Sequence, residues 1–138
     1  PCAERDQPST YVPNRNMVLL SVAAAYAEGR AASCVLYGAQ AQDRYGYWDC
    51  TAAFVERLNA VFALNRRTPI GVRAPFVDLR KCEVVKIGLA LGVDYAHTWT
   101  CYHGGERPCG RCPSCVERAL AFEGAGVPDP LVAGADGR

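Results

Sequence analysis

Four cysteines lie within fifteen residues of one another, and this clustering constrains the fold more than any other feature of the sequence. They are Cys101, Cys109, Cys112 and Cys115, in the spacing C-x7-C-x2-C-x2-C. Four cysteine thiolates arranged as a tetrahedron are a common structural site for Zn²⁺. Three glycines and two prolines in the same stretch suit a tight, stiff loop that directs several sulfurs at one point. The sequence therefore predicts a loop that holds one structural zinc ion per chain.

Three other uses of the cysteines compete with zinc. Eight cysteines in 138 residues would suffice for a disulfide framework, but such scaffolds offset a poor core, and half of this chain is apolar. An iron–sulfur cluster also takes four cysteines, yet Val116 follows Cys115 where a Cys-Pro pair often closes the run. Buried, inert thiols suit Cys34 and Cys82 better than a glycine-rich cluster. Zinc is the favoured interpretation.

Composition limits the classes of partner. The net charge is +1, which gives no electrostatic reason to expect nucleic acid, a membrane surface or an acidic partner. No stretch approaches the roughly twenty apolar residues that cross a bilayer. The first ten residues, PCAERDQPST, show neither a basic leader nor an apolar run. With this cysteine usage, we expect a protein of the reducing cytoplasm that binds neither membrane nor nucleic acid.

The spacing of apolar residues predicts helices alternating with short strands. Helices are expected at about residues 15–28, 49–64, 81–91 and 116–123, and strands at 33–38 and 70–77. Asn14 and Asp49 are the expected caps of the first two helices. Arg80 stands where a capping residue is usual, so the third helix loses about 1 kcal/mol of capping energy unless Asp78 takes over. Alternating strands and helices indicate an α/β protein with a parallel sheet.

Two strands are too few to bury the apolar faces of all these helices. The chain is therefore expected to be the second half of a larger α/β domain or to need a partner, and a bare sheet edge favours self-association into a homo-oligomer. We expect a partial α/β domain for nucleotide or substrate at 1–95, a zinc loop with a short helix at 96–124, and an irregular tail at 125–138.

The segment after the first predicted strand carries unusual polar residues. Ligands of doubly wound sheets lie beyond the carboxyl ends of the strands. AQAQDRYGYWDC at 39–50 includes Gln40, Tyr47 and Asp49 in this position. Amide and carboxylate groups can read the edge of a heterocycle, and aromatic rings can stack on it. The alternative is an ordinary polar loop in which Asp49 is only a helix cap.

A second candidate binding segment opens the first predicted helix. Arg15 and Asn16 lie at the helix N-terminus, where backbone N–H groups and the helix dipole favour anions. The Arg15 guanidinium could hold a phosphate or carboxylate through two parallel hydrogen bonds. The alternative is a solvated arginine in the first turn.

Taken together, four segments resemble the 7-cyano-7-deazaguanine synthases of the PP-loop ATP pyrophosphatase superfamily. They are STYVPNRN at 9–16, DRYGYWDC at 43–50, LRKCEVVKIGLALGV at 79–93 and TWTCYHGGERPCGRCPSC at 98–115, of which the last is the most specific. The resemblance implies an adenine-nucleotide α-hydrolase-like parallel sheet. It also implies a ligase that uses ATP and ammonia to convert 7-carboxy-7-deazaguanine into 7-cyano-7-deazaguanine, on the route to queuosine.

The resemblance also implies roles for individual residues. Arg15 and Asn16 would face the nucleotide or an acyl phosphate. Tyr47 and Asp49 would meet the deazaguanine, with the Asp49 carboxylate accepting from a ring nitrogen or the exocyclic amine. Gln40 belongs to the same candidate binding set, the four cysteines would hold a closed and therefore structural zinc, and ATP would be a co-substrate.

Two departures from the family pattern qualify this assignment. The SGG-x-DS loop that cradles the ATP pyrophosphate does not occur in the sequence. We therefore expect the C-terminal half of such a ligase, truncated or working with a separate polypeptide that carries the ATP loop, and no productive ATP binding by this chain alone. Tyr45, Trp48 and Thr51 replace the residues usual in the family and leave the exact substrate open. The alternatives are a non-catalytic zinc-binding module and, less favoured by the charge, a zinc-knuckle nucleic-acid binder.

Overall fold

The computed structural model describes residues 11–133, which form two compact units that divide between Leu79 and Arg80. The helices and strands are α1 (Arg15–Gly29), β1 (Cys34–Leu36), α2 (Ala52–Phe62), β2 (Gly71–Arg73), α3 (Lys81–Ala90), α4 (Pro113–Ala125) and α5 (Pro130–Ala133). Single 3-10 turns lie at Asp43–Tyr45, Trp48–Cys50 and Tyr95–His97. The first two residues of the STYVPNRN segment and residues 134–138 of the predicted tail lie outside the described residues.

The first unit contains a small parallel sheet, which confirms the predicted α/β class. β1 and β2 pair in the register Cys34 to Gly71, Val35 to Val72 and Leu36 to Arg73. Both strands are shorter than predicted, although one backbone hydrogen bond at each end continues the ladder. The pairing stops before Pro75, which has no N–H to donate.

The core of the first unit lies where two helices cover the sheet. α1 packs against β1 and α2 against β2. Leu20, Phe54, Leu58 and Val72 form the buried cluster between them. Burial of four such side chains contributes about 1.5–3 kcal/mol each, which favours the packed arrangement over separate helices.

Asn59 on α2 closes part of one sheet edge. The Val72 N–H and C=O point away from β1, and the Asn59 side chain pairs with both, at 2.7 and 2.9 Å. An edge strand normally leaves such groups available to another strand. The outer edge of β2 is therefore blocked at Val72, and a further strand would pair along β1.

The helix caps differ from the sequence predictions. Thr51, rather than Asp49, caps α2, since its hydroxyl accepts from the Phe54 N–H at 3.1 Å. Asn14 takes the cap position of α1, but in a left-handed conformation without a side-chain cap bond. At α3, Arg80 takes the cap position without a side-chain cap bond. The Glu83 carboxylate accepts the Arg80 backbone N–H at 2.7 Å, which is one half of a capping box.

The second unit is built on α3 and α4, which pack against each other. Val85, Ala121 and Phe122 form its buried cluster. Tyr95 packs edge-on against Phe122 with ring centroids 5.3 Å apart. Gly88 on α3 permits this contact, because a Cβ at that position would lie 2.1 Å from the Tyr95 hydroxyl oxygen.

A buried ion pair closes the second unit. Arg118 on α4 donates to both carboxylate oxygens of Asp129, at 2.6 and 2.8 Å, and both side chains are about one-tenth exposed or less. The same guanidinium donates to Thr98 at 2.8 Å and to the Tyr95 carbonyl at 3.0 Å. Arg118 therefore joins the chain before the first clustered cysteine to the chain after α4. The helix α5 follows, within the segment that the sequence predicts to be irregular.

Among residues 11–133, every helix falls short of the length and apolar character that crossing a lipid bilayer requires.

Candidate metal centre and ligand site

The four clustered cysteines converge on one point in the second unit. Their sulfur atoms all lie within 4.8 Å of one another, and those of Cys109 and Cys115 are 4.0 Å apart. A tetrahedral zinc with Zn–S bonds of about 2.3 Å places sulfurs about 3.8 Å apart. The donor set and its spacing therefore fit a four-coordinate metal ion, and the predicted convergence is confirmed. The cysteines of the described residues are all free thiols.

Local backbone geometry shapes this cluster. The Cys109 N–H donates to the sulfur of Cys101 at 3.4 Å, and the Cys112 N–H donates to the sulfur of Cys109 at 3.3 Å. Gly104 and Gly110 take positive φ angles of 63° and 69°, which side chains disfavour. Pro113 opens α4 directly after Cys112, where its missing N–H costs nothing. The cluster thus spans a folded loop and the first turn of a helix.

Backbone N–H donors also shift the pKa values of the clustered thiols. The N–H groups of Tyr102 and Cys115 lower the pKa of Cys112 to about 6. Those of Cys109 and His103 lower the pKa of Cys101. Burial, reinforced by hydrogen bonding with Cys112, raises the pKa of Cys115 to about 12. The loop therefore favours thiolates at part of the set, and a cation at the centre would favour them at the rest.

The first unit contains a separate polar cluster around the buried thiol of Cys50. Its sulfur lies 3.5 Å from the Asn16 amide nitrogen, 3.2 Å from the Tyr37 hydroxyl and 3.9 Å from the Asp49 carboxylate. The Arg15 guanidinium is close enough to lower the pKa of this thiol in part, although burial raises it overall. The structure therefore brings Asp49 together with the segment of Arg15 and Asn16, which the sequence singles out separately.

Tyr37 holds this cluster to the sheet. It follows β1 and donates its hydroxyl to the Asp49 carbonyl at 3.1 Å. Burial raises the pKa of Tyr37 well above its ordinary value, and the Cys50 thiol and the Asp49 carboxylate raise it further. The hydroxyl is therefore neutral and serves as a donor. The Asp49 side chain is only 2% exposed, which explains why it lies in the cluster and does not cap α2.

Gln40 is hydrogen-bonded to Asp43, whose charge acts on the cluster. The Gln40 amide nitrogen donates to the Asp43 carboxylate at 3.0 Å, and the Gln40 backbone N–H lies 3.3 Å from the second carboxylate oxygen. Asp43 also contributes to the raised pKa of Tyr37. The Gln40 amide oxygen is buried without a hydrogen-bond partner among the described residues. An acceptor in that state costs about 1–3 kcal/mol, which a donor from a bound molecule would recover.

Tyr47 lies at the side of this segment. Its ring stacks on that of Tyr11, with centroids 6.4 Å apart and planes inclined by 21°. Tyr11 also accepts a hydrogen bond from the Trp48 indole at 3.4 Å. The aromatic residues around Asp49 thus pack against the chain that leads into α1.

The sequence interpretation missed Tyr37 and Cys50 as members of the site. One signal was present, because Tyr37 stands before Gly38 at the carboxyl end of a buried strand, where ligands of such sheets collect. No local pattern marks Cys50, because two of its partners, Asn16 and Tyr37, are distant along the chain.

Comparison with known proteins identifies relatives of this chain. Residues 1–126 match the family model described as queuosine biosynthesis protein QueC. Proteins named 7-cyano-7-deazaguanine synthase are similar over most of the chain. The one from Marinobacter nauticus is 50% identical over 89% of this chain and 56% of its own length. The relative from Archaeoglobus fulgidus is 51% identical over 94% of this chain and 55% of its own length. The relative from Chromohalobacter salexigens is 52% identical over 90% of this chain and 49% of its own length. The chain spans about half the length of the curated relatives it matches.

Proposed function

Because this chain belongs to the family of the queuosine biosynthesis protein QueC, we propose that it forms the substrate-binding and zinc-binding part of a 7-cyano-7-deazaguanine synthase. Such a ligase acts in the cytoplasm and converts 7-carboxy-7-deazaguanine, ammonia and ATP into 7-cyano-7-deazaguanine. The observation that carries the proposal is the polar cluster of the first unit, in which Asn16 and Asp49 contact one buried thiol and the charge of Arg15 acts on its pKa.

The chemistry of the reaction suits these side chains. A carboxylate is a poor electrophile, and its activation by ATP develops negative charge that fixed cations and N–H donors stabilise. Arg15 and Asn16, in the first turn of α1, would supply those groups to the nucleotide or acyl phosphate. Asp49 would accept an N–H of the deazaguanine, and Tyr47 would stack on its rings. The unpartnered Gln40 oxygen supports a ligand that carries further N–H donors.

The metal in this proposal is a structural Zn²⁺ held by Cys101, Cys109, Cys112 and Cys115. Four protein ligands leave no open position for substrate, so the ion would contribute to folding of the loop. The sheet of the first unit would belong to an adenine-nucleotide α-hydrolase-like fold completed by further strands, for which β1 provides the available edge.

ATP binding in this proposal needs the remainder of the enzyme. The relatives are about twice as long as the matched region, and the SGG-x-DS motif does not occur in this sequence. A stripe on α1, consisting of Leu19, Val22 and Tyr26, is exposed at one-turn and two-turn spacing. We expect the stripe to pack against the polypeptide that carries the ATP loop. The alternative is that a second copy of this chain packs against the stripe.

Reconstitution tests the proposal. The purified chain is mixed with the remaining portion of the Marinobacter nauticus relative, and conversion of 7-carboxy-7-deazaguanine is followed by mass spectrometry with ATP and ammonia. We expect the nitrile product only when both polypeptides are present. A zinc-loaded chain that never supports turnover and never binds the deazaguanine would instead indicate a non-catalytic zinc-binding module.

Two variants sharpen this experiment. Asp49→Asn is expected to lower activity at least about tenfold. The substitution removes the negative charge and replaces one of the two acceptor oxygens by an N–H donor. Val22→Glu leaves the site intact and places a charge in the stripe, so we expect it to abolish assembly without changing substrate binding. Unchanged assembly of Val22→Glu by size-exclusion chromatography would remove the stripe as the contact surface.

A further inference from the structure

Three segments of the first unit meet at the Cys50 sulfur. Asn16 comes from the first turn of α1, Tyr37 from the carboxyl end of β1, and Asp49 from the 3-10 turn that contains Cys50 itself. Their contacts with one another are the hydrogen bonds from Asn16 to the thiol, between the thiol and Tyr37, and from Tyr37 to the Asp49 carbonyl, at 3.5, 3.2 and 3.1 Å. These contacts connect residues up to 34 positions apart.

The number of protons that each group can donate fixes the direction of these three hydrogen bonds. The Asp49 carbonyl oxygen can only accept a hydrogen bond, so the Tyr37 hydroxyl donates its single proton to it. The Tyr37 oxygen then has lone pairs to accept from the Cys50 S–H, and at 3.2 Å it is a nearer acceptor for that proton than the Asp49 carboxylate oxygen at 3.9 Å. The Cys50 sulfur in turn accepts from the Asn16 amide, whose nitrogen can only donate. The order is Asn16 to Cys50 to Tyr37 to Asp49, and it needs a protonated thiol.

We propose that Tyr37 and Cys50 are positioning residues, which hold the Asn16 amide in one of its two flipped orientations and fix the turn that presents the Asp49 carboxylate. This inference rests on the proposed function, because Asn16 and Asp49 are the residues assigned to the ligand there. Neither Tyr37 nor Cys50 needs to touch the ligand. They exclude side-chain orientations in which the Asn16 amide or the Asp49 carboxylate could not hydrogen-bond to the ligand.

The chemistry of the thiol makes the proposal specific. Burial raises the pKa of Cys50, which keeps it protonated near neutral pH. A serine at position 50 preserves both the donor and the acceptor that Cys50 supplies to these hydrogen bonds, although its side chain is shorter. Alanine removes both. Tyr37→Phe removes the donor to Asp49 and the acceptor for Cys50 while it keeps the ring in the core.

The experiment compares Cys50→Ala, Cys50→Ser and Tyr37→Phe in the full chain, with 7-carboxy-7-deazaguanine as the probe in isothermal titration calorimetry. We expect Cys50→Ala and Tyr37→Phe to weaken binding by about tenfold or more, and Cys50→Ser to stay within about threefold of the parent. Ile70→Val is the matched control, because it destabilises the same unit from a different buried cluster and should leave affinity unchanged.

A second measurement does not depend on the ligand. Side-chain amide signals of Asn16 in ¹⁵N-edited NMR report its hydrogen bond to the thiol, and we expect them to shift in Cys50→Ala and to be restored in Cys50→Ser. Equal affinities in parent and alanine variant, equal losses in alanine and serine variants, or an unmoved Asn16 signal would each overturn the inference. A parent chain that shows the Asn16 signal but binds no deazaguanine would overturn the proposed function instead.

Discussion

At the scale of single residues, the first unit contains two weak acids that folding keeps in their neutral forms, the half-buried Tyr37 and the buried Cys50. Tyr37 and Cys50 share a hydrogen bond of 3.2 Å. Burial is the main reason that the pKa of each is raised, and the nearby Asp43 and Asp49 add to it. Folding therefore favours their protonated forms, and the dependence on pH has a definite sign.

We predict that the first unit loses stability in alkaline solution. The unfolded chain releases these protons near the ordinary pKa values of 9.0 and 10.0, whereas the folded chain retains them to higher pH. Stability is thus fully present below about pH 9 and falls above it. In a Trp99→Phe background, Trp48 fluorescence reports unfolding of this unit in urea. Tyr37→Phe should flatten the decline above about pH 10, where the unfolded chain loses the Tyr37 proton.

The control for this pH series is Tyr45→Phe. Tyr45 is 83% exposed, so its removal should leave the parent's pH dependence in place. Identical slopes for the parent and Tyr37→Phe would show that the buried hydroxyl does not control alkaline stability.

A second residue-scale prediction concerns Gly88. Its missing side chain makes room for the Tyr95 hydroxyl, which would lie 2.1 Å from a Cβ. Gly88→Ala should destabilise the second unit by about 1–3 kcal/mol through overpacking. Gly29→Ala has no atom within 4 Å of the new Cβ and should be close to neutral. Urea unfolding of both variants checks the difference, and a neutral Gly88→Ala would contradict the close contact.

At the scale of elements, α4 is held by the buried pair of Arg118 and Asp129. Their contact is bidentate, and Thr98 and Tyr95 satisfy the remaining guanidinium donors. Removal of one partner from such a pair leaves the other charge buried without compensation. This pair, and not helix propensity alone, determines where the chain goes before and after α4.

We predict that Arg118→Met costs about 3–5 kcal/mol of unfolding free energy, because Asp129 is left unpaired. Lys81→Met removes an ion pair of the same length, 2.6 Å to Glu117, from a partly exposed position on α3. That control should cost about 0–1 kcal/mol. Equal losses in urea unfolding, followed through Trp99, would show that burial of the Arg118 pair does not matter.

At the scale of the whole molecule, two compact units carry two different sites. The polar cluster lies in the first unit and the four cysteines in the second. Metal binding and folding of a cysteine loop are one equilibrium, so loss of the ion acts on the second unit. The first unit has its own buried core and does not depend on those ligands.

We predict one zinc per chain by elemental analysis and its loss in Cys112→Ala, with unfolding of the loop and α4. Cys34→Ala, outside the cluster, should retain zinc. The Trp99 indole donates to the Cys101 carbonyl at 2.9 Å, so its fluorescence reports the loop. Zinc affinity should fall as pH falls, because protons compete for the thiolates. Iron in the purified protein would contradict the zinc assignment.

The sequence by itself determined the convergence of the four cysteines and the alternation of helices and strands. Convergence of Cys101 with Cys109, Cys112 and Cys115 needs only a short loop, whose glycines and prolines can be read along the chain. Helix periodicity located α1 and α3 within one residue of their observed ends for the same reason. Short-range contacts of this kind depend on neighbours in the sequence and on little else.

Only the tertiary structure decided the composition of the polar cluster and the role of Asp49. The sequence favoured Asp49 as a helix cap, but burial beside Cys50 and the bond from Tyr37 leave that role to Thr51. Asn16 and Cys50 lie 34 positions apart, and their contact exists because α1 and α2, the helix that follows Cys50, pack on one core. Which side chains share a buried space depends on packing between distant segments, and no local pattern encodes it.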